Sequence, residues 1–281
     1  MGERILVTGA SGNVGSELVR LLREKGVEVA AATSKQTAQT REEGTVHLDF
    51  HDFSTYESAL KGITRIFLMR PPAISNVKKY IAPFINAAAA AGIHQIVFLS
   101  LQRVERNPFV PHHEIEQCTI RSTIPYTFLR PSFFMQNLST THKEDIKEGN
   151  RIFVPAGKGK TSFIDARDIS AVACKVLTMP GHENKAYELT GSESITYFQA
   201  AEILSRVLHR PITYTNPSAM NFYCTMRRRG LNRMYILVMI ALYSAAKFGL
   251  ASKLTNTTRE LLGREPISFE KFAEDSREIW F

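Results

Sequence analysis

Ile5-Leu-Val-Thr-Gly-Ala-Ser-Gly-Asn-Val-Gly15, continued by residues 16–25, is the stretch whose reading decides the fold. The apolar run Ile5, Leu6 and Val7 stops at a glycine-rich turn. Beyond it Val14, Leu18, Val19, Leu21 and Leu22 recur at helical spacing and mark one apolar stripe. Strand, glycine loop and helix in this order form the arrangement that a dinucleotide pyrophosphate needs. Gly9 allows the tight turn, and Gly12 lets the backbone approach the phosphates with no Cβ between them. Gly15 lets the new helix pack closely on the strand, while the helix's first amides face the negative charge. Gly9, Ala10, Ser11, Gly12, Asn13 and Val14 are therefore the expected phosphate loop. The spacing is G-x-x-G-x-x-G, and glycines alone are a weak signal. The flanking strand and helix raise it above a chance glycine-rich turn.

A chain of 281 residues can bury a large core and is long for one compact domain, so one large and one small lobe are expected. Hydrophobic residues make up 44% and charged residues 22%, as in ordinary globular proteins. The net charge of +8 is partly local, because Arg227, Arg228, Arg229 and Arg233 sit together. Without interleaved aromatics or a binding motif this cluster reads as a solvated helix face, and no nucleic-acid partner is expected. Cys118, Cys174 and Cys224 are odd in number and far apart, which suggests neither a metal site nor a disulfide framework. No basic and apolar leader precedes the first strand, so a cytoplasmic location is expected. The apolar run 234–246, bracketed by Arg233 and Lys247, is about 13 residues and too short to cross a bilayer. It reads as a buried or lid helix, and no membrane association is expected.

Strand-like and helix-like patterns alternate through the first half. Strands are expected at 27–33, 45–48, 63–69, 93–100 and 126–130, with helices at 76–91 and 111–122. Near-continuous apolar strands separated by amphipathic helices predict an α/β fold, a Rossmann-type doubly wound parallel sheet covered on both faces. Ligands in such sheets sit at the carboxyl ends of the strands, which directs attention to 8–15, 33–35, 49–50, 70–72, 100–103 and 131–137. After residue 150 the pattern changes. Short strands are expected at 152–154, 163–164, 186–189 and 212–214, with helices from about 167, over 196–208, and from 218 onward. The expected organisation is a dinucleotide-binding domain over 1–150, with 165–191 returning to it. Residues 151–164 and 192–281 would form a smaller C-terminal α/β lobe over the nicotinamide end.

Several stretches carry a resemblance: the glycine loop, Ile66-Phe-Leu-Met-Arg-Pro-Pro72, Ile96-Val-Phe-Leu-Ser100 and Tyr126-Thr-Phe-Leu-Arg-Pro-Ser-Phe-Phe-Met-Gln-Asn137. Ala156-Gly-Lys-Gly-Lys160, Phe163-Ile-Asp-Ala-Arg-Asp-Ile169 and Ala186-Tyr-Glu-Leu-Thr-Gly191 extend it. In this order and from end to end, the chain resembles the NmrA-like branch of the atypical short-chain dehydrogenase/reductases. That resemblance implies an NAD(P)H-dependent oxidoreductase of the quinone-reductase or azoreductase kind acting on a small-molecule electron acceptor. Because the branch also holds cofactor sensors, a non-catalytic NADP(H)-sensing regulator with a protein partner is the alternative, and a homodimer is a further option. The cofactor contacts implied are Met69, Arg70, Pro71, Ser100 and Leu101 beside the glycine loop. Asp49 and Phe50 match the family's adenine corner, with Asp49 as a turn-capping acid the competing account.

An NAD-specific site usually ends its second strand in an acid that accepts the ribose hydroxyls. Here the strand ends Ala31-Ala-Thr-Ser-Lys35. Thr33, Ser34 and Lys35 are suited to a 2′-phosphate, so NADP(H) is preferred and NAD(H) is the second choice. The family's usual arginine is replaced by Thr33.

Ordinary members of the superfamily use Tyr-x-x-x-Lys as general acid. At the topologically proper place the chain has Pro108 and His112, so the dyad is absent. Tyr243-Ser-Ala-Ala-Lys247 matches by spacing but lies more than a hundred residues too late, and coincidence is the better account. His112 is the candidate catalytic group, as a side chain that titrates near neutrality and can contact the nicotinamide ribose. A solvent-facing helix-start histidine is its rival reading. Glu114 and Glu116 read as first-turn acids favoured by the helix dipole. Phe133, Phe134, Asn137 and Tyr243 are the candidate substrate residues, with Phe109 and Met135 adding apolar surface; core packing competes for each ring. A soft acceptor such as a quinone would need no protein acid, because its delocalised anion takes a proton from water.

Overall fold

The computed structural model describes residues 3–34 and 44–281. The chain divides into two compact units, 1–131 with 166–189 and 132–165 with 190–281.

Unit 1 is built on a seven-stranded sheet of β1 (Arg4–Val7), β2 (Glu28–Thr33), β3 (Thr45–His47), β4 (Arg65–Leu68), β5 (Gln95–Leu99) and β6 (Tyr126–Pro131), closed by a returning strand, Lys185–Leu189. The spatial order is β3-β2-β1-β4-β5-β6 and then the returning strand, and every pairing is parallel. The order reverses between β1 and β4, which makes the crevice beyond Val7 and Leu68 the switch point. Ile5, Leu6 and Val7 are fully buried, as a strand covered on both sides requires. One face carries α1 (Asn13–Glu24), which buries Val14, Leu18, Val19 and Leu22. The later helix Ala166–Thr178 packs beside it, and Ser170 Oγ donates to the Val14 carbonyl at 2.9 Å. The other face carries α2 (Thr55–Leu60), α3 (Val77–Tyr80), α4 (Ala82–Ala90) and α5 (Pro111–Arg121) over a core of Leu6, Ile66, Phe98 and Phe84. The single helix expected over 76–91 is two helices broken at Ile81, because Pro83 restricts the backbone before it and starts a new helix.

Unit 2 starts at Ser132, not near 150. Met135, Leu138 and Ile146 pack into its core with Phe222, Phe269 and Trp280, which draws 132–150 away from the sheet domain to which the sequence reading had assigned it. Its elements are α6 (Lys143–Lys147), β7 (Arg151–Ile152) and β8 (Lys160–Thr161), then, after the returning strand (β9) and the helix Ala166–Thr178 (α7) of unit 1, β10 (Ile195–Thr196) and α8 (Tyr197–Leu208). The remainder is β11 (Thr213–Tyr214), α9 (Ala219–Arg228), α10 (Arg233–Lys247), α11 (Thr257–Leu262) and α12 (Phe269–Asp275). β7 pairs with β11 in parallel and β8 with β10 antiparallel. Among the described residues, no helix is long and apolar enough to cross a membrane.

Candidate functional site

The switch point of unit 1 gathers the glycine loop, the end of β4 and the start of α5. Thr8 ties the first two together: its Oγ1 donates towards the Phe67 carbonyl (3.2 Å) and accepts from the Met69 amide (2.7 Å). Gly9 sits at φ +64°, where a side chain is strained, and a Cβ there would come within 2.0 Å of Met69 Cε. A Cβ on Gly15 would come within 2.1 Å of the Gly9 carbonyl oxygen, so its smallness serves contact with the loop backbone more than with the strand. Gly12 differs. Its backbone is extended (φ −87°), and a Cβ would meet only Gly9 O at 3.4 Å and Met69 Cε at 3.6 Å. Nothing in the protein strongly demands a glycine there.

Gly12 is also the N-cap of α1, without a side-chain cap and with no acid in the first turn. A helix start left open in this way is positively polarised and fits an anion. Ala10 is half-buried, whereas Ser11 and Asn13 are exposed around this opening; Val14 is buried.

Three buried polar atoms near the strand ends lack a hydrogen-bond partner: Arg70 Nε, Gln102 Nε2 and His112 Nδ1. Orphans of this kind suit a polar ligand. Arg70 otherwise clamps its own loop, donating from Nη1 to the carbonyls of Pro71 (3.0 Å), Pro72 (3.1 Å) and Ile74 (2.6 Å). Burial lowers its pKa. His112 stacks on Phe98 at 5.9 Å. Burial first, and the Arg70 charge second, push its pKa down to about 3. The expectation of a group titrating near neutrality is thereby corrected: at pH 7 this imidazole is neutral and is not an acid.

Ser100 and Glu116 also differ from expectation. Ser100 is buried, and its Oγ donates to Glu116 Oε1 at 2.6 Å. Glu116 is buried as well and takes two hydrogen bonds from Arg130, Nε at 3.0 Å and Nη2 at 2.7 Å. It is an interior ion-pair partner, and the Ser100 hydroxyl is committed to it. Leu101 is half-buried in the following turn. At the end of β2, Thr33 is half-buried and Ser34 exposed, with no carboxylate between them; Lys35 lies outside the described residues. Asp49 Oδ1 accepts from the His51 amide (2.9 Å) and faces His51 Nδ1 (3.1 Å), and the amide contact is the main reason its pKa falls. The turn-capping use of Asp49 is therefore present. Phe50 is buried, its ring edge-to-face with Phe84 at 5.2 Å. Phe109 is 94% exposed on a surface depression with Lys78, His113 and Arg121, a poor place for an apolar ring-binding surface.

In unit 2, Phe133, Phe134 and Asn137 are half-buried in the turn around residues 135–137. Phe133 lies 6.0 Å from the ring of Tyr243. Tyr243 is interior, not a pocket wall: it packs edge-on to Phe222 and Tyr197, and its hydroxyl meets His142 Nε2 at 2.5 Å. Burial raises the Tyr243 pKa well above the usual phenol range and lowers that of His142 to about 4. Lys247 is not among the causes of the Tyr243 shift, so the pair has the spacing of a catalytic dyad without its electrostatics. The sequence reading missed Arg130 and His142; each acts through a partner distant in sequence.

Known proteins fit this geometry. An NAD(P)H azoreductase from Xenophilus azovorans is 32% identical, over 96% of each chain. An NADPH-dependent quinone oxidoreductase from Escherichia coli, solved with NADPH, superposes with a TM-score of 0.85 at 25% identity, covering 96% of this chain and 99% of that one. The triphenylmethane reductase of a Citrobacter species shares the fold at a TM-score of 0.86, with 24% identity, covering 98% of this chain and 99% of that one. The model of the NmrA-like family matches residues 1–273, and the chain belongs to that family.

Proposed function

We propose that this protein is an NAD(P)H-dependent oxidoreductase that reduces a quinone-like or otherwise conjugated small molecule. The observation that carries the reading is the open start of α1: uncapped, acid-free, and preceded by a Gly12 whose missing side chain the fold itself does not require. The bound nicotinamide would supply the hydride. The amides around Gly12, Asn13 and Val14 would hold the pyrophosphate. Thr33, Ser34 and Lys35, with no acid among them, suit a 2′-phosphate and favour NADP(H) over NAD(H). One oxygen of Asp49 serves its own turn, leaving the other for an adenine amine. Arg70 holds the loop after β4 in shape. His112, being neutral, supplies a hydrogen bond for a ribose hydroxyl and not a proton. Phe133 and Phe134 offer half-buried rings for a flat acceptor. With His112 neutral and Pro108 where the superfamily's tyrosine would stand, the acceptor's anion must be delocalised enough to take its proton from water. That selects conjugated electrophiles over simple ketones.

The same lack of an acid supports a second reading, a sensor that binds NADP(H) and passes its redox state to a protein partner. One experiment separates them: titrate the chain with NADPH, then follow NADPH oxidation with quinones and azo dyes. Tight binding without turnover of any acceptor selects the sensor. As the control, Gly12→Val should abolish binding at an unchanged melting temperature, because the extended backbone accepts valine. Unaltered affinity in that folded variant would overturn the cofactor site itself.

A further inference from the structure

Arg130, near the end of β6, grips the segment that joins β5 to α5 on both sides. Its Nη1 donates to Glu105 Oε2 at 3.0 Å, on the single 3₁₀ turn Val104–Arg106. Its Nε and Nη2 fork onto Glu116 of α5, meeting Oε1 at 3.0 Å and Oε2 at 2.7 Å. Glu116 Oε1 also accepts from Ser100 Oγ, just past β5, so one carboxylate ties two strand ends to one helix. Between these anchors the Gln102 amide donates to the Pro131 carbonyl at 3.1 Å. Arg103 then holds φ +60°, a left-handed conformation that costs a non-glycine residue energy and persists only where its surroundings fix it.

Stability alone is a poor reason for this arrangement. Glu116 is 2% exposed and the Arg130 side chain 17%, and taking both charges out of water about offsets their attraction. A forked pair does supply one thing that apolar side chains do not, a single orientation. His112 and Glu116 are four residues apart and share a face of α5. The first lies against the ring of Phe98, the second on Ser100 and Arg130. β5 stands two strands from β1, about 10 Å from the glycine loop, on the half of the sheet that takes the second mononucleotide.

We propose that Arg130 is a positioning residue: through Glu116 and Glu105 it fixes α5 and the turn before it, and so places His112 against the nicotinamide half of the cofactor. The proposal rests on the cofactor role given to His112 above. Glu116 and His112 are about 6 Å apart along the helix axis. A swing of α5 by about 10° about Glu116 therefore moves the imidazole by about 1 Å, and a misplacement of that size costs on the order of a hundredfold in rate.

Arg130→Lys keeps the charge and loses the fork. Its kcat with NADPH and a quinone should fall roughly tenfold or more, with NADPH affinity changed less than about threefold, because the glycine loop is untouched. In a His112→Ala background the same substitution should cost less than about twofold, the mark of a residue acting through His112. Ser100→Ala, Glu116→Leu and Arg130→Met, combined, remove every partner at once and leave the half-exposed Glu105 to water. This variant should melt no lower than the wild type, yet lose about a hundredfold in kcat. Arg130→Lys costing its full factor in the His112→Ala background overturns the proposal, as does full kcat in the apolar variant. If the wild type oxidises NADPH with no acceptor, the hydride-transfer reading fails, and His112 itself decides the positioning. Its imidazole proton resonances, displaced by the Phe98 ring 5.9 Å away, should move in Arg130→Lys; unmoved resonances overturn the proposal.

Discussion

Lowering the pH from 7 to 5 should destabilise this protein through two interior histidines. His112 is held at about 3 by burial and by the Arg70 charge. His142 is held at about 4, mainly by burial, with Asp145 opposing and Arg229 reinforcing the shift. Both start from 6.5 in an unfolded chain. Well above pH 6.5 neither state binds a proton on these rings, and the stability is fully present. Below it the unfolded chain takes up protons that the folded chain refuses, so stability falls by about 1.4 kcal/mol per pH unit for each ring. At pH 5 each ring is about 1.5 units below its unfolded pKa, a loss of about 2 kcal/mol apiece and about 4 kcal/mol together. His112 belongs to unit 1 and His142 to unit 2, so each unit, with a net stability typically of about 5–15 kcal/mol, loses about 2 kcal/mol of it. The figure at pH 5 depends only on both folded values lying below 5, not on where they fall. Urea unfolding followed by circular dichroism at pH 7, 6 and 5 measures the loss. Titration of the imidazole proton resonances assigns it to these two rings. Stability unchanged within about 1 kcal/mol, or either ring titrating near 6.5 in the native state, would refute the burial argument.

Tyr243→Phe removes the hydrogen bond between the phenol and His142 Nε2, whose Nδ1 already lacks a partner. It should cost about 1–3 kcal/mol of stability while changing NADPH-dependent turnover less than about tenfold; a hundredfold fall in a fully folded variant would restore the displaced dyad. His112→Ala should reduce turnover more than Tyr243→Phe does, and the wild-type rate should show no histidine ionisation between pH 5 and 8; a bell-shaped limb near 6.5 that vanishes in the variant would contradict a neutral imidazole. Lys35→Ala should weaken NADPH roughly tenfold or more and leave NADH nearly untouched, a ratio read by parallel fluorescence titrations; equal losses would show that Lys35 does not read the 2′-phosphate. Glu116→Gln should leave Arg130 with Glu105, at 3.0 Å, as its remaining carboxylate partner and lower stability by about 1–3 kcal/mol, measured by thermal unfolding; a neutral outcome would mean that the pair contributes nothing net.

The parts of the fold that were legible from sequence are those encoded locally. The turn at Gly9, the stripe on α1 and the apolar strands are each set by residues within a few positions of one another. Parallel order then follows from strands joined by helical crossovers. The phosphate loop was readable for the same reason. Where the second unit begins was not: the segment after Pro131 has the composition of a loop leaving a strand, and only its contacts with Phe269, Trp280 and their neighbours assign it to the other core.

The site's chemistry depends on burial, and burial is tertiary. His112 at the start of a helix looks solvated and titratable until Phe98 covers its face and Arg70 adds a like charge. Glu116 looks like a first-turn acid until Arg130, on the neighbouring strand, arrives to hold it. The spacing of Tyr243 and Lys247 is a property of any helix, whereas catalysis needs the lysine to act on the phenol, and the phenol here answers to His142. Helix α10 is the converse case. Its sequence is apolar around nearly the whole circumference, so periodicity alone reads it as interior. The fold uses one side and leaves the other in water. An apolar face that the core does not consume is a departure from local consistency.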